Sequence, residues 1–204
     1  MPSITPFDPR GSILAAAAAL DAIGQPFALI GGLALDAWGI PRATKDADLA
    51  VPVGAAEPAA ERISGPNTEV RPLRIGGVGL REPARDLRID LIDRRFHFAP
   101  LFAEAIQEAK DANRRARVGE REIPLVSLEH LLAMKLVSGS PKDDIDARRI
   151  VGLERLVYAR ARSIVERHLG AASANRLDEL AREAGRPELP PRRLYRNGDS
   201  IDES

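Results

Sequence analysis

The segment Lys45-Asp46-Ala47-Asp48-Leu49-Ala50-Val51 sets two carboxylates two residues apart. Its alternation of polar and apolar residues predicts a strand over 45–51, and residues two apart on a strand share a face. Ala47, Leu49 and Val51 then turn into a core, and Asp46 and Asp48 turn together to the other side. At about 6–7 Å apart, two such charges repel by about 2–3 kcal/mol at an effective dielectric near 20. Two readings fit: the pair is fully solvated, or it holds a cation, and hard oxygen ligands suit Mg²⁺ or Mn²⁺. A third carboxylate comes from 86–92, where Leu87, Ile89 and Leu91 share one strand face and Asp86, Arg88 and Asp90 the other. Asp90 sits inside the apolar run Ile89-Asp90-Leu91-Ile92, which fits a solvated surface residue poorly; Asp93 falls on the opposite face. A metal site that leaves room for phosphate oxygens needs a few carboxylates on neighbouring strands, and Asp46, Asp48 and Asp90 meet that requirement.

The elements around these residues must position them. Phe27-Ala28-Leu29-Ile30 reads as a buried strand between Pro26 and Gly31, and Gly31-Gly32 joins it to a helix over 33–38. Two missing side chains at such a junction either make a tight turn or let a phosphate approach backbone N–H groups at the helix start. Arg42 and Thr44 lie in the following loop, where an arginine can grip a phosphate with two prongs and a threonine can donate to one. Further helices are expected over 11–23, 55–63 and 100–110, a strand over 68–75 and one or two short strands over 115–126. The order is mixed α/β, and no internal repeat is visible.

From Ser127 the pattern turns helical, with helices expected over 127–138, 141–151, 153–169 and 173–184. Leu128, Leu131, Leu132 and Leu136 make an apolar stripe with Lys135 set into it. A lysine on a packing face must snorkel or find a partner, and a nucleotide phosphate or a catalytic carboxylate would serve. Ser140, Pro141 and Asp143 make a helix start, with Asp143 in a capping role. Lys142, Asp146 and Arg149 share a face of that helix, and Lys142 and Asp146 have the spacing of an i, i+4 ion pair. His97, His130 and His168 have no ligand spacing and read as partly exposed; Trp38 reads as core.

Thirty basic and thirty acidic residues among 204 cancel to a net charge of +0, which excludes nucleic-acid binding by bulk charge alone. The absence of cysteine excludes disulfides, thiolate chemistry and cysteine-ligated zinc. Only four of the basic residues are lysine (Lys45, Lys110, Lys135 and Lys142), so a lysine here stands out from the arginine background. No apolar run is long enough for a transmembrane helix, and the N-terminus lacks a signal-peptide layout, so a cytoplasmic protein is expected. The basic stretches Arg114-Arg115-Ala116-Arg117 and Arg192-Arg193 with Arg196 read as solvated surface.

Ala28-Leu29-Ile30-Gly31-Gly32-Leu33-Ala34-Leu35, followed by Arg42-Ala43-Thr44-Lys45-Asp46-Ala47-Asp48-Leu49, resembles the signature of the nucleotidyltransferase superfamily with the DNA polymerase β-like core. More narrowly it is similar to the AbiEii-type nucleotidyltransferase-like proteins of bacterial toxin–antitoxin systems. The resemblance spans roughly residues 25 to 151. It implies metal-dependent transfer of a nucleoside monophosphate from an NTP, with Asp46 and Asp48 holding Mg²⁺ (or Mn²⁺) and Asp90 helping to activate the acceptor. It further implies a nucleotide pocket lined by Lys135, Lys142 and Asp146, beside Gly31, Gly32, Arg42 and Thr44. The superfamily often has Gly-Ser where this chain has Gly31-Gly32. The expected fold is α/β (α+β), a nucleotidyltransferase-type mixed sheet with flanking helices followed by a helical subdomain. Its parts would be a core over 1–126, helices over 127–185 and an extended tail over 186–204. The acceptor is left open between tRNA, protein and a small molecule such as an aminoglycoside, with an antitoxin as partner in the first two cases. A nucleotide-binding protein without catalysis is the remaining reading.

Overall fold

A computed structural model of the chain describes residues 8–110 and 114–186; the expected tail beyond 186, with Arg192, Arg193 and Arg196, lies outside the described residues. The alanine-rich helix α1 (Arg10–Ala22) buries Ile13, Ala16, Ala17 and Leu20, the stripe expected of one packed face. Strand β1 (Ala28–Leu29) leads into the short helix α2 (Gly31–Ala37), and β2 (Ala47–Ala50) follows the loop that carries Arg42 and Thr44. Then come α3 (Ala56–Ile63), β3 (Glu69–Pro72), β4 (Val78–Glu82), β5 (Leu87–Ile92), α4 (Ala99–Ala109) and the strands β6 (Arg115–Val118) and β7 (Arg121–Pro124).

Five strands form one mixed sheet in the order β1-β2-β5-β4-β3, and β6-β7 form a separate hairpin. Only β2 and β5 run parallel; the other pairs in the sheet are antiparallel. One face of the sheet carries Leu49, Leu80, Ile89 and Leu91, all with no exposure, and packs against α1 and α3. Full burial of one such leucine or isoleucine is worth about 2 kcal/mol, so this face anchors the strand register. A one-residue slip would turn the whole apolar set outward. The opposite face carries Asp48, Gly79, Arg81 and Asp90.

The chain ends in four helices: α5 (Leu128–Ser138), α6 (Pro141–Val151), α7 (Tyr158–Leu169) and α8 (Ala171–Glu183). Ser127 and Ser140 cap α5 and α6 by accepting from the backbone N–H groups of His130 and Asp143. Among the described residues no helix is long and apolar enough to cross a membrane.

Three details differ from expectation. No element is expected between the strands at 68–75 and 86–92, whereas Val78–Glu82 forms an interior strand there. Its two-residue alternation is masked by Gly79 and by the buried Glu82, which accepts from Thr68 Oγ1 at 2.5 Å and from Arg85 at 3.1 Å. The helix expected from 153 begins at Tyr158, because the Val157 N–H donates to buried Glu129 at 3.1 Å. His130 is fully buried rather than partly exposed, with its ring between Ser127, Glu104 and Glu108 on α5 and α4. Trp38 is half-buried; its ring N–H donates to the Val126 carbonyl at 2.9 Å.

Candidate functional site

The parallel pairing of β2 with β5 sets Asp48 directly opposite Asp90, and Asp46 lies just before β2 on the same side. One guanidinium nitrogen of Arg81 lies 2.8 Å from Asp90 Oδ1 and 3.4 Å from Asp46 Oδ1, so both carboxylates lean on one cation. Arg81 is fixed from behind by donation to the carbonyls of Leu80 and Ile89 at 2.8 and 2.9 Å. The sequence reading missed Arg81. Its signal was the alternation Val78, Leu80, Glu82, which turns Gly79 and Arg81 to the other face once β4 is recognised as a strand.

Asp48 sits deepest of the three. Gly31, at φ +68°, has no side chain, and a Cβ there would stand 2.0 Å from Asp48 Oδ2. Burial, followed by the charges of Asp90 and Asp46, pushes the Asp48 carboxyl up to about 7, against the pull of Lys135 and Arg81. Burial also raises Asp90, with Arg81 opposing. Gly32 plays a matching part: a Cβ there would stand 2.8 Å from Thr44 Cβ. Thr44 Oγ1 in turn accepts from the Asp46 N–H at 3.4 Å. The glycine pair thus clears space for the Asp48 carboxylate and for the threonine that braces Asp46.

Arg42, Lys135 and Asp146 also meet. Lys135 Nζ lies 2.6 Å from Asp143 and 2.9 Å from Asp146, and Arg42 Nε lies 3.2 Å from Asp146. Asp146 is buried, and its carboxylate ties the loop before β2 to α5 and α6. The stripe lysine has therefore found carboxylate partners, as its placement required. The Lys142–Asp146 pair does not form: Asp146 faces Lys135 and Arg42, and Lys142 stands exposed on the first turn of α6. Ser140 caps α6 by accepting from the Asp143 N–H at 3.2 Å, and the Asp143 carboxylate accepts from Lys135 and from the Ser138 and Ser140 hydroxyls rather than from a backbone N–H. Asp93 stays away from the trio; it is fully buried and accepts from the Gly54 N–H at 3.2 Å and from Arg95 at 3.0 Å.

Two expected results follow from this packing. Lys135→Met leaves buried Asp146 with Arg42 alone and should lower stability by about 2–3 kcal/mol in urea denaturation. Gly31→Ala should cost at least about 2 kcal/mol, because it adds left-handed backbone strain to a collision with Asp48. In an Asp48→Gly background only the backbone strain should remain, and a double-mutant cycle measures the difference.

Among the described residues no three acidic or histidine side chains converge as a ready-made metal-ligand cluster. The donor set still fits a hard divalent cation. Asp48 and Asp90 are cross-strand neighbours, Asp46 and Asp90 lean on one guanidinium nitrogen, and the Asp48 carboxyl is raised by its burial and by its neighbours' charge, which a bound cation would offset.

No protein-family model matches the chain, and no curated protein matches it. Solved structures do. The antibiotic-resistance factor ANT(2'')-Ia in solution superposes with a TM-score of 0.52 at 19% identity, over 88% of this chain and 94% of that one. The crystal structure of ANT(2'')-Ia in complex with adenylyl-2''-tobramycin gives 0.51 at 18% identity, over 85% and 97%. At these identities the likeness is one of fold alone: a five-strand mixed sheet with flanking helices, followed by a helical region.

Proposed function

We propose that this chain is a metal-dependent nucleotidyltransferase that moves a nucleoside monophosphate from an NTP to an acceptor hydroxyl. The observation that carries this reading is Asp48 standing opposite Asp90 on neighbouring parallel strands, with Asp46 and Asp90 on one guanidinium nitrogen. Asp46 and Asp48 would hold Mg²⁺ or Mn²⁺, with Asp90 completing the set. When bound, such an ion offsets the negative charge of the triphosphate and polarises the phosphoryl group under attack.

The chain's own residues supply the rest. Asp90, released from Arg81, accepts the proton of the acceptor hydroxyl. The acceptor oxygen bonds to the α-phosphorus as the bond from that phosphorus to its bridging oxygen breaks, and the electron pair leaves with pyrophosphate. Gly31, Gly32 and Thr44 border the triphosphate on the β1 side of the sheet. Arg42 and Lys135 bring positive charge there, and Lys142 meets the nucleotide from the solvent side. Asp146 acts through Arg42 and Lys135 and is a positioning residue. Such chemistry is chiefly orientation and charge neutralisation.

The acceptor admits two readings. The residue resemblance supports a cytoplasmic toxin that modifies tRNA or protein and is restrained by an antitoxin. The fold likeness to ANT(2'')-Ia over nearly its whole length supports an aminoglycoside-type small-molecule acceptor. Incubating the purified protein with α-labelled NTPs, Mg²⁺ and cellular RNA, lysate or tobramycin tests both. Label on one of these names the acceptor. NTP binding without transfer under any condition selects a binding protein instead.

A further inference from the structure

The proposed reaction needs its acceptor on the side of Asp90 away from the triphosphate, since the incoming and leaving oxygens lie in line. The sheet order fixes that side: Gly31 belongs to the β1–β2 edge, so the acceptor comes over β4 and β3. The cross-strand row there reads Asp48, Asp90, Gly79, Arg71. Gly79 is a notch. A Cβ at that position would stand 3.0 Å from Asp90 Oδ1 and 3.4 Å from Arg71 Nε, so the missing side chain lets the arginine approach the carboxylate. Arg71 is exposed and, among the described residues, has no ion-pair partner, unlike Arg81 on the next row.

Leu73 reaches the Gly79 notch, with its Cδ2 3.2 Å from the Cβ position. It also lines a cavity of about 350 Å³ at the hairpin end, with Arg74, Arg94 and Arg95. Glu57 is the one acidic side chain in that lining, and it already binds Arg95 at 2.9 Å. Arg94 lies over the Phe98 ring at 5.2 Å and has no carboxylate partner among the described residues. Three arginines against one glutamate in that lining suit an anionic acceptor better than a polycationic one.

Resting on the nucleotidyltransferase reading, we infer that Arg71 and the Gly79 notch form an acceptor subsite that takes a phosphate group beside the acceptor hydroxyl, with Arg94 holding a further anion. The chemistry is that of a phosphate-bearing acceptor, supplied by an RNA end or by a small sugar phosphate. The test titrates the full chain with a short fluorescent RNA carrying a free 3′-hydroxyl and with ribose 5-phosphate, each competed by tobramycin. NTP binding is followed separately by calorimetry, and transfer by α-labelled NTP. Arg71→Gln should weaken RNA or sugar-phosphate binding about tenfold and raise the acceptor KM in step, while NTP affinity is held; Arg71→Lys should restore most of it. Preference for RNA over ribose 5-phosphate assigns the phosphate to a polynucleotide, and the reverse to a metabolite. Transfer to tobramycin that is indifferent to Arg71→Gln would overturn the subsite and leave the reaction class intact. An absence of NTP binding and of transfer to any acceptor would overturn both.

Discussion

Asp48→Asn should yield a chain that is more stable than the natural one at pH 8 and unable to transfer nucleotide. The Asp48 carboxyl is held at about 7 against its ordinary 3.8, first by burial and then by Asp90 and Asp46. Between about pH 4 and pH 7 the folded chain therefore binds a proton that the unfolded chain has released. Stability contributed by this group falls as pH rises through that window and stays low above it. Asparagine keeps the shape and removes the charge, so its advantage should be about 1.5 kcal/mol at pH 5 and grow to as much as about 4 kcal/mol at pH 8. Urea denaturation at the two pH values, without divalent cations, measures it. Equal stability at both would mean that the carboxylate is not strained by its surroundings. A stabilising change that abolishes activity is the mark of a residue kept for function.

Asp90→Asn should slow transfer by a factor of about a thousand while leaving NTP affinity near that of the natural chain. Asparagine retains the contact with Arg81 but cannot take up the acceptor's proton. Single-turnover rates together with calorimetric NTP titration separate the two effects. If kcat were unchanged, proton removal would have to belong to another group.

Much of this site was legible because strand periodicity is strict. Once 45–51 and 86–92 read as strands, Asp46, Asp48 and Asp90 fell on one face and the aliphatic residues between them on the other. Lys135 declared itself by interrupting a leucine stripe. Arg81 was hidden because β4 contains Gly79 and a buried, arginine-paired Glu82, which blur a two-residue alternation. The partners of Asp146 were hidden for a different reason. Its local i, i+4 neighbour is Lys142, and only the tertiary fold brings Arg42 and Lys135 closer. The glycine pair reads as either a tight turn or room for phosphate; that each missing side chain seats Asp48 or Thr44 depends on side-chain placement that spacing alone does not contain. His130 shows the same limit, since burial of a lone histidine among glutamates from another helix leaves no trace in its own segment.

The most direct measurement is Mn²⁺ binding by electron paramagnetic resonance in the presence of NTP, comparing the natural chain with Asp46→Asn, Asp48→Asn and Asp90→Asn. Loss of bound Mn²⁺ in Asp46→Asn and Asp48→Asn, with weakening in Asp90→Asn, is the result expected if the three carboxylates share an ion. Equal Mn²⁺ binding by all four chains would contradict it.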